Sequence, residues 1–269
     1  MAVVLERFES AVAARPVPMP APVRLEGRGT PEAAWRQCQH LGALPPVTVE
    51  TLVPLGRRAV IVSPHPDDEV MGAGGLMALL ARQGREVLVV PVTDGAASHP
   101  GSRRWTPERL AQERPMETVR ALALLGLSRI QLHRLGLPDG HLADLEAPMT
   151  WALVPHLRPS DVVITTWRHD GHPDHEATGR ACAAACAQVG ATLLEMPISA
   201  WHWARPGDPR LPWARACRLP LSPDLEQRKR LAARAFATQT RPDPSSQTGC
   251  ALPAATLARV LRPYEVFFR

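Results

Sequence analysis

The chain has 269 residues, a length that suits one α/β domain with an appendage. Its hydrophobic fraction of 45% and charged fraction of 21% are ordinary for a globular protein with a sizeable core. The formal net charge of +5 comes almost entirely from arginine, because Lys229 is the only lysine, and no run of arginines is interleaved with aromatic side chains. The composition therefore predicts no nucleic-acid partner and only a mild preference for anionic substrates.

The cysteines and the apolar segments exclude further classes of protein. The five cysteines are an odd number without a C-x-x-C pair, which argues against a disulfide framework and a structural zinc site. No apolar run approaches the roughly 20 residues that a membrane span needs, and Glu6 interrupts the apolar N-terminus too early for a signal peptide. We therefore expect a cytoplasmic protein with no membrane span. The sequence leaves its oligomeric state open.

Residues 1–55 differ in composition from the rest of the chain. The segment Pro16-Val-Pro-Met-Pro-Ala-Pro22 favours extended backbone and cannot form the interior of a helix. A short helix is predicted over 31–40. We interpret residues 1–55 as an N-terminal extension that wraps the main domain or a neighbouring subunit, or that is partly disordered, and we assign residues 56–269 to the main domain.

From residue 57 onward, predicted strands and helices alternate. Strands are predicted over 59–63, 86–93, 130–134, 161–166 and 192–197, and helices over 74–83, 106–125, 149–157 and 175–188. This alternation predicts parallel strands joined by right-handed crossovers, which is a doubly wound, mainly parallel α/β sheet with helices on both faces. Beyond residue 201 the pattern weakens to a strand over 216–219, a helix over 222–238 and a terminal strand over 264–268.

Two clusters of polar residues follow predicted strands. His65-Pro-Asp-Asp-Glu69 comes directly after the first strand, and His172-Pro-Asp-His175 comes after the fourth. In a sheet of order 3-2-1-4-5 these strands are neighbours, and ligands bind at their carboxyl ends. Carboxylates and imidazoles lose hydration near a packed core, and a bound cation would offset that cost. The two clusters are therefore predicted to face one another across a metal site.

The residue types in the clusters suit a catalytic metal centre. Imidazole nitrogen and carboxylate oxygen suit zinc or a similar divalent ion, and such a centre keeps three protein ligands and a water. His65 and Asp68 lie three residues apart at the start of a helix, and His175 would complete the set. Asp67 is then a carboxylate beside the metal, suited to remove a proton from the metal-bound water.

The second cluster offers a candidate acid. A protonated His172 could stabilise an oxyanion or protonate a leaving amine. Asp174 could hold His172 in the required tautomer and raise its pKa.

Both clusters resemble the two signature motifs of the PIG-L/LmbE-like zinc-dependent N-deacetylases. The resemblance runs from about residue 57 to 197 and includes Thr93-Asp-Gly95, Arg114-x-x-Glu117, Leu124-Leu-Gly126 and Leu135-Gly-Leu-Pro-Asp-Gly140. It implies a Rossmann-like fold for residues 56–269, one Zn²⁺ or another divalent ion such as Fe²⁺, and removal of an N-acetyl group, usually from a glucosamine-containing substrate. It also implies roles by position: metal ligands at His65, Asp68 and His175, a general base at Asp67, an oxyanion stabiliser or acid at His172 with Asp174 as its partner, and a substrate contact at Arg114.

The sequence departs from the family pattern where a substrate would bind. Some sugar deacetylases of the family carry a tyrosine two residues before the second motif, where this chain has Asp170, and an acidic residue where this chain has Ala96. We therefore take Asp170, with Arg114, as a candidate substrate contact. Trp201, just beyond the fifth predicted strand, is a further candidate that could line a sugar pocket, although ordinary packing explains it equally well.

The sequence thus predicts a metal-dependent amidohydrolase that acts on a linear amide in a small N-acetylated amino sugar or glycoconjugate, with the metal-bound water activated by Asp67. Two alternatives share the same residues: a metal-containing sugar-binding protein without turnover, and an O-acetyl esterase. An intact base and acid, Asp67 and His172, argue against the first alternative. The residues do not separate an amide from an ester substrate.

Overall fold

The computed structural model describes residues 27–127, 131–246 and 250–269. Within them, seven strands form one sheet: β1 Ala59–Ser63, β2 Val87–Pro91, β3 Gln131–Leu132, β4 Val162–Thr166, β5 Thr192–Met196, β6 Ala216–Pro220 and β7 Tyr264–Phe268. The strands lie in the order β3-β2-β1-β4-β5-β7-β6. The first five in the sequence are parallel, and β7 runs antiparallel between β5 and β6.

Helices cover both faces of this sheet. They are α1 Glu32–Arg36, α2 Gln39–Ala43, α3 Val49–Leu52, α4 Asp68–Arg82, α5 Pro107–Leu124, α6 Glu146–Leu153, α7 Pro173–Val189, α8 Ala200–Trp203, α9 Pro223–Arg234, α10 Ala237–Thr240 and α11 Ala254–Val260. Successive side chains of a strand point to opposite faces. Ile61 therefore lies in the larger core with α4, α5 and α9, whereas Val60 and Val62 lie in a smaller core with α6 and α7.

This architecture confirms the predicted doubly wound sheet, including the order of its first five strands. Several helix bounds differ from the predictions. The helix predicted over 74–83 begins at Asp68, because a kink at Ala73 joins an earlier turn to it. The helix predicted over 222–238 is two helices, α9 and α10.

The described part of the N-terminal segment packs against the sheet domain. Trp35 is fully buried, and its indole Nε1 donates to the Trp201 carbonyl at 2.9 Å. Leu41 and Val53 belong to the larger core. Helices are present at α1 and α2 where one helix was predicted over 31–40. The proline-rich stretch over 16–22 lies outside the described residues, and the boundary at residue 55 stays a prediction.

The kink in α4 is held from the C-terminal strand. The Glu265 carboxylate in β7 accepts hydrogen bonds from the backbone N–H of Gly75, at 2.6 Å, and of Leu76, at 2.9 Å. These amides follow the break at Ala73, so Glu265 caps the second part of the helix. Lys229 donates to the same carboxylate at 2.7 Å, and both side chains are buried. The C-terminal strand thus fixes the helix that begins with Asp68.

Among the described residues, every helix is too short or too polar to pass through a lipid bilayer.

Replacing Glu265 with alanine should strongly destabilise the fold. Lys229 would remain buried without its carboxylate, and the amides of Gly75 and Leu76 would lose their acceptor, so the free energy of unfolding should fall by about 3–5 kcal/mol in chemical denaturation. Glu86→Ala is the matched control, since this exposed carboxylate pairs at 3.6 and 3.8 Å with Arg158 and Arg58. Its loss should cost at most about 1 kcal/mol. Equal losses would contradict the role of Glu265.

Candidate active site

Both polar clusters lie at one edge of the sheet. β1 and β4 pair in parallel from Ala59 with Val162 to Val62 with Thr165, so their carboxyl ends are level. His65 follows the end of β1 by two residues, and α7, which carries His175, begins seven residues after β4 ends. The pairing brings together segments that are far apart in the sequence, as the strand order predicted.

The three predicted metal ligands converge. The Asp68 Oδ2 lies 3.2 Å from His65 Nδ1 and 3.3 Å from His175 Nε2. One ligand atom from each of the three side chains lies within 4.8 Å of the others. Asp68 and His175 are buried, and His65 is partly buried. Two imidazole nitrogens and one carboxylate oxygen in a partly enclosed cluster fit a divalent cation such as zinc.

Asp170 has a structural role at this cluster. It is fully buried, and its Oδ2 lies 2.7 Å from Nδ1 of His175. The same carboxylate accepts from the backbone N–H groups of Ile198, Ser199 and Ala200 at 2.7–3.0 Å. The role of Asp170 as a substrate contact stays a prediction, and the contacts that the structure shows for it are all to protein groups. The carboxylate fixes the His175 ring with Nε2 turned toward Asp68.

Asp67 is held in an unusual backbone conformation. Its φ of 128° is the one positive value at a non-glycine position among the described residues. Such conformations cost about 1–3 kcal/mol and persist where the surroundings impose them. Arg114 Nη2 donates to Asp67 Oδ2 at 3.1 Å and to the Pro66 carbonyl at 2.6 Å, and Arg114 Nη1 donates to the Gly95 carbonyl at 2.7 Å. Arg114, predicted as a substrate contact, thus binds and orients Asp67 while it also lines the cavity.

Burial governs the protonation of this carboxylate. Burial raises the pKa of Asp67 to about 8, against the lowering charge of Arg114 and with further raising charges from Asp68 and Glu69. Asp68 differs, because the charges of His175 and His65 and a hydrogen bond from His65 outweigh burial and lower its pKa to about 2. The two neighbouring carboxylates therefore differ in direction: burial raises the pKa of Asp67, whereas the nearby imidazoles lower the pKa of Asp68.

Glu69 supports the loop that carries Asp67, a role that the sequence did not indicate. Its Oε2 accepts the backbone N–H of Asp67 at 3.0 Å, and the Thr118 hydroxyl donates to its Oε1 at 3.3 Å. It is fully buried, and burial raises its pKa to about 7. Glu69 thus supports the backbone at the strained position.

The role of Asp174 as the partner of His172 stays a prediction, and the structure shows other partners for the Asp174 carboxylate. The Asp174 carboxylate accepts from the backbone N–H of Gly140, at 2.8 Å, and of Leu142, at 3.0 Å, and it lies 3.1 Å from His65 Nε2. His172 instead accepts the backbone N–H of Asp174 on Nδ1, at 3.2 Å, and caps α7. Its neutral ring therefore carries its proton on Nε2. Burial, with the charges of His175 and His65, lowers the pKa of His172 to about 3.

Asp139 is a residue of the site to which the sequence pattern gave no role. Its Oδ1 lies 3.1 Å from His65 Nε2, and its Oδ2 accepts the backbone N–H of Ala97 at 2.7 Å. Although burial opposes it, the hydrogen bonds of Asp139, Asp174 and Asp68 hold the pKa of His65 well above its usual value. Asp139 lies in Leu137-Pro-Asp-Gly140, which predicted only a turn, so composition carried no signal of this contact.

A cavity of about 870 Å³ opens over the cluster. His65, Asp67, Asp68, Arg114, His172 and His175 all line it. Trp201 is absent from this lining: it is 4% exposed and packs edge-on against Trp35 with ring centroids 5.1 Å apart. The role of Trp201 as a sugar contact stays a prediction, and the structure shows it in ordinary packing against Trp35.

Comparison with known proteins finds one family profile that matches the centre of the chain. Residues 60–186 match the family profile described as PIG-L: GlcNAc-PI de-N-acetylase. This segment is slightly less than half of the chain. It contains both polar clusters, the three candidate cation ligands, Arg114 and Asp139. The PIG-L match agrees with the resemblance found in the sequence.

The chain also resembles curated relatives and solved structures. A probable N-acetyl-alpha-D-glucosaminyl L-malate deacetylase 2 of Bacillus cereus is 30% identical over 139 residues, which are 49% of this chain and 62% of that protein. The crystal structure of an antimicrobial pseudoaglycone deacetylase shares 24% identity at a TM-score of 0.57, covering 78% of this chain and 96% of that one. The N,N'-diacetylchitobiose deacetylase of Pyrococcus horikoshii shares 20% identity at a TM-score of 0.56, covering 72% and 75%. At these identities the solved structures show the fold. The chain spans about three fifths of the length of the Bacillus cereus relative.

Replacing Asp170 with alanine should weaken the binding of a divalent cation by about 10- to 100-fold, because the His175 ring would lose the carboxylate that orients it. Competition between the protein and a chelator during Zn²⁺ titration measures the change. Asp144→Ala, at an exposed aspartate, is the matched control. Circular dichroism checks that the loop released from Asp170 leaves the fold intact, and an unchanged affinity in folded Asp170→Ala would contradict the positioning role.

Proposed function

We propose that this protein is a zinc-dependent N-deacetylase that hydrolyses the acetamide of a small amino sugar or glycoconjugate. The observation that carries the proposal is the Asp68 carboxylate between His65 and His175, with the buried carboxylate of Asp67 beside it. A cation cluster flanked by a base is the arrangement that metal-assisted hydrolysis needs. The names of the relatives, which are deacetylases of N-acetylglucosaminyl compounds, support the substrate class.

Three side chains would hold the cation: His65 and His175 through ring nitrogens and Asp68 through Oδ2. When bound, Zn²⁺ acts as a Lewis acid, which polarises a carbonyl and acidifies water. The remaining chemistry belongs to the chain. Asp170 fixes the ring of His175, and Asp139 and Asp174 lie against Nε2 of His65, so His65 has Nδ1 turned toward Asp68.

Asp67 is the proposed general base. It lines the cavity next to Asp68, and Arg114 and Glu69 hold it from two sides. Arg114 binds one carboxylate oxygen, Oδ2, and among the described residues no hydrogen bond engages Oδ1. That oxygen can accept a proton from a water molecule in the cavity as the water attacks the acetamide carbon.

His172 is the proposed donor to the substrate. Because its Nδ1 accepts the Asp174 amide, the proton on Nε2 is available for a hydrogen bond into the cavity that His172 lines. Such a bond stabilises negative charge developing on the acetamide oxygen. The proton taken by Asp67 can then pass to the departing amine, so that acetate and a free amine leave.

Asp67→Asn should lower the rate of deacetylation by about 10²- to 10⁴-fold, the usual contribution of a general base. The amide retains the shape of the side chain and an oxygen that can accept from Arg114, so bound zinc and the unfolding midpoint should change little. Steady-state acetate release, with zinc content measured on the same sample, tests this. Loss of zinc in Asp67→Asn would place Asp67 among the ligands instead.

Asp68→Ala should remove zinc itself, because Asp68 supplies the oxygen that lies between both imidazoles. Elemental analysis after dialysis should find less than one zinc ion per chain in this variant and about one in wild type. Asp144→Ala again serves as the exposed control. Full zinc occupancy in Asp68→Ala would contradict the proposed ligand set.

The substrate class needs a separate measurement. Acetate release by zinc-loaded protein from N-acetylglucosamine conjugates and from O-acetyl sugars distinguishes an amidase from an esterase. Turnover of the N-acetyl compounds that is lost in Asp67→Asn would support the proposal. Turnover of O-acetyl sugars alone would favour an esterase using the same residues.

A further inference from the structure

The cavity has a second wall that the family segment does not build. Residues outside 60–186 contribute Ile198, Ser199, His202, Gln239, Thr256 and Arg259 to its lining. The three candidate cation ligands and the proposed base, Asp67, all lie within the family segment. Features that distinguish the substrate of this chain are therefore expected on the second wall.

Arg259 is the charged residue of that wall, and it is rigidly held. It is 2% exposed. Its Nη1 donates to the carbonyls of Arg28, at 3.0 Å, and Thr30, at 3.1 Å, while its Nη2 donates to Thr256 Oγ1, at 3.0 Å, and to His202 Nδ1, at 3.1 Å. None of the four acceptors is a carboxylate, and an arginine has five N–H donors. The remaining donor, Nε–H, has no partner within the part of the chain that the structure describes.

The neighbouring buried cations are each neutralised. Lys229 pairs with Glu265 at 2.7 Å, and Arg262 makes three contacts of 2.8–3.1 Å with the Glu32 carboxylate. Among the described residues, no carboxylate lies within ion-pairing distance of Arg259. Burial and the charge of Arg262 lower the pKa of Arg259, although the charge of Glu32, which is paired with Arg262, opposes them. The group nevertheless stays protonated, since arginine does not lose its proton in proteins.

A buried charge costs free energy unless a counter-ion pairs with it. Arg259 has no such pair among the described residues, and it borders the cavity. We propose that Arg259 binds an anionic oxygen group, a carboxylate or a phosphate, on the part of the substrate beyond the acetylated sugar. The inference rests on the proposed deacetylase function and narrows its substrate class to acidic N-acetylated glycoconjugates. The rigid guanidinium supplies its charge and the Nε–H without a further cost of ordering the side chain.

Three matched glycosides of N-acetylglucosamine test the proposal: one with a carboxymethyl group, one with the nearly isosteric carboxamide, and one with an ethyl phosphate group. Wild-type protein should deacetylate the carboxymethyl or the phosphate glycoside with a kcat/KM about tenfold or more above that of the carboxamide glycoside. A hydrogen bond to a charged group predicts a gain of this size. The anionic group that raises kcat/KM more, relative to the carboxamide, shows whether Arg259 prefers a carboxylate or a phosphate. Equal kcat/KM values for all three would overturn the proposal.

Arg259→Gln should bring the ratio of anionic to carboxamide kcat/KM to about one, and Arg205→Gln, at an exposed arginine, should retain the wild-type ratio. A preference that persists in folded Arg259→Gln would overturn the assignment to Arg259. If that variant fails to fold, as loss of its four hydrogen bonds could cause, the wild-type ratio decides.

Dissociation constants separate this inference from the function on which it rests. If no glycoside is deacetylated, the deacetylase proposal fails. Calorimetric binding of the same compounds to wild-type protein then still tests whether Arg259 binds an anion. Tighter binding of an anionic glycoside, by about tenfold, would support the anion site. Equal binding would reject it.

Discussion

The parallel pairing of β1 with β4 is the constraint on which the site depends. Their four paired residues run from Ala59 with Val162 to Val62 with Thr165, and this register sets the carboxyl ends level. A slip of one residue would turn the alternating core side chains of each strand to the wrong face. The hydrophobic pattern that builds two separate cores therefore also aligns His65 and Asp68 with His175.

The site is organised by carboxylates that hold other groups. Asp170 holds His175, Asp139 and Asp174 flank His65, and Glu69 holds the backbone of Asp67. Each contact restricts a ring or a carboxylate to one orientation, so little reorganisation is needed when a cation or substrate binds. The positive φ of Asp67 is stable in this setting because Arg114 and Glu69 fix both sides of the loop.

The C-terminal part of the chain supports the family segment in two ways. Glu265 in β7 caps the kinked helix that begins at Asp68, so the last strand stabilises the element that carries a ligand. Arg259 and its neighbours in α8 and α11 form the second wall of the cavity. The candidate cation ligands lie in the segment that matches the family profile, whereas the proposed anion contact, Arg259, lies outside it.

The sequence alone determined the sheet and the chemical cluster. Strand and helix periodicities are local, and two polar clusters at neighbouring strand ends predicted that His65, Asp68 and His175 would meet. Contacts between distant segments were decided only by the tertiary structure. Asp139 looked like a turn residue, Asp170 and Trp201 looked like substrate contacts, and Asp174 looked like a partner of His172. Each of these depends on which backbone amide or ring lies opposite, and packing, rather than composition, sets that.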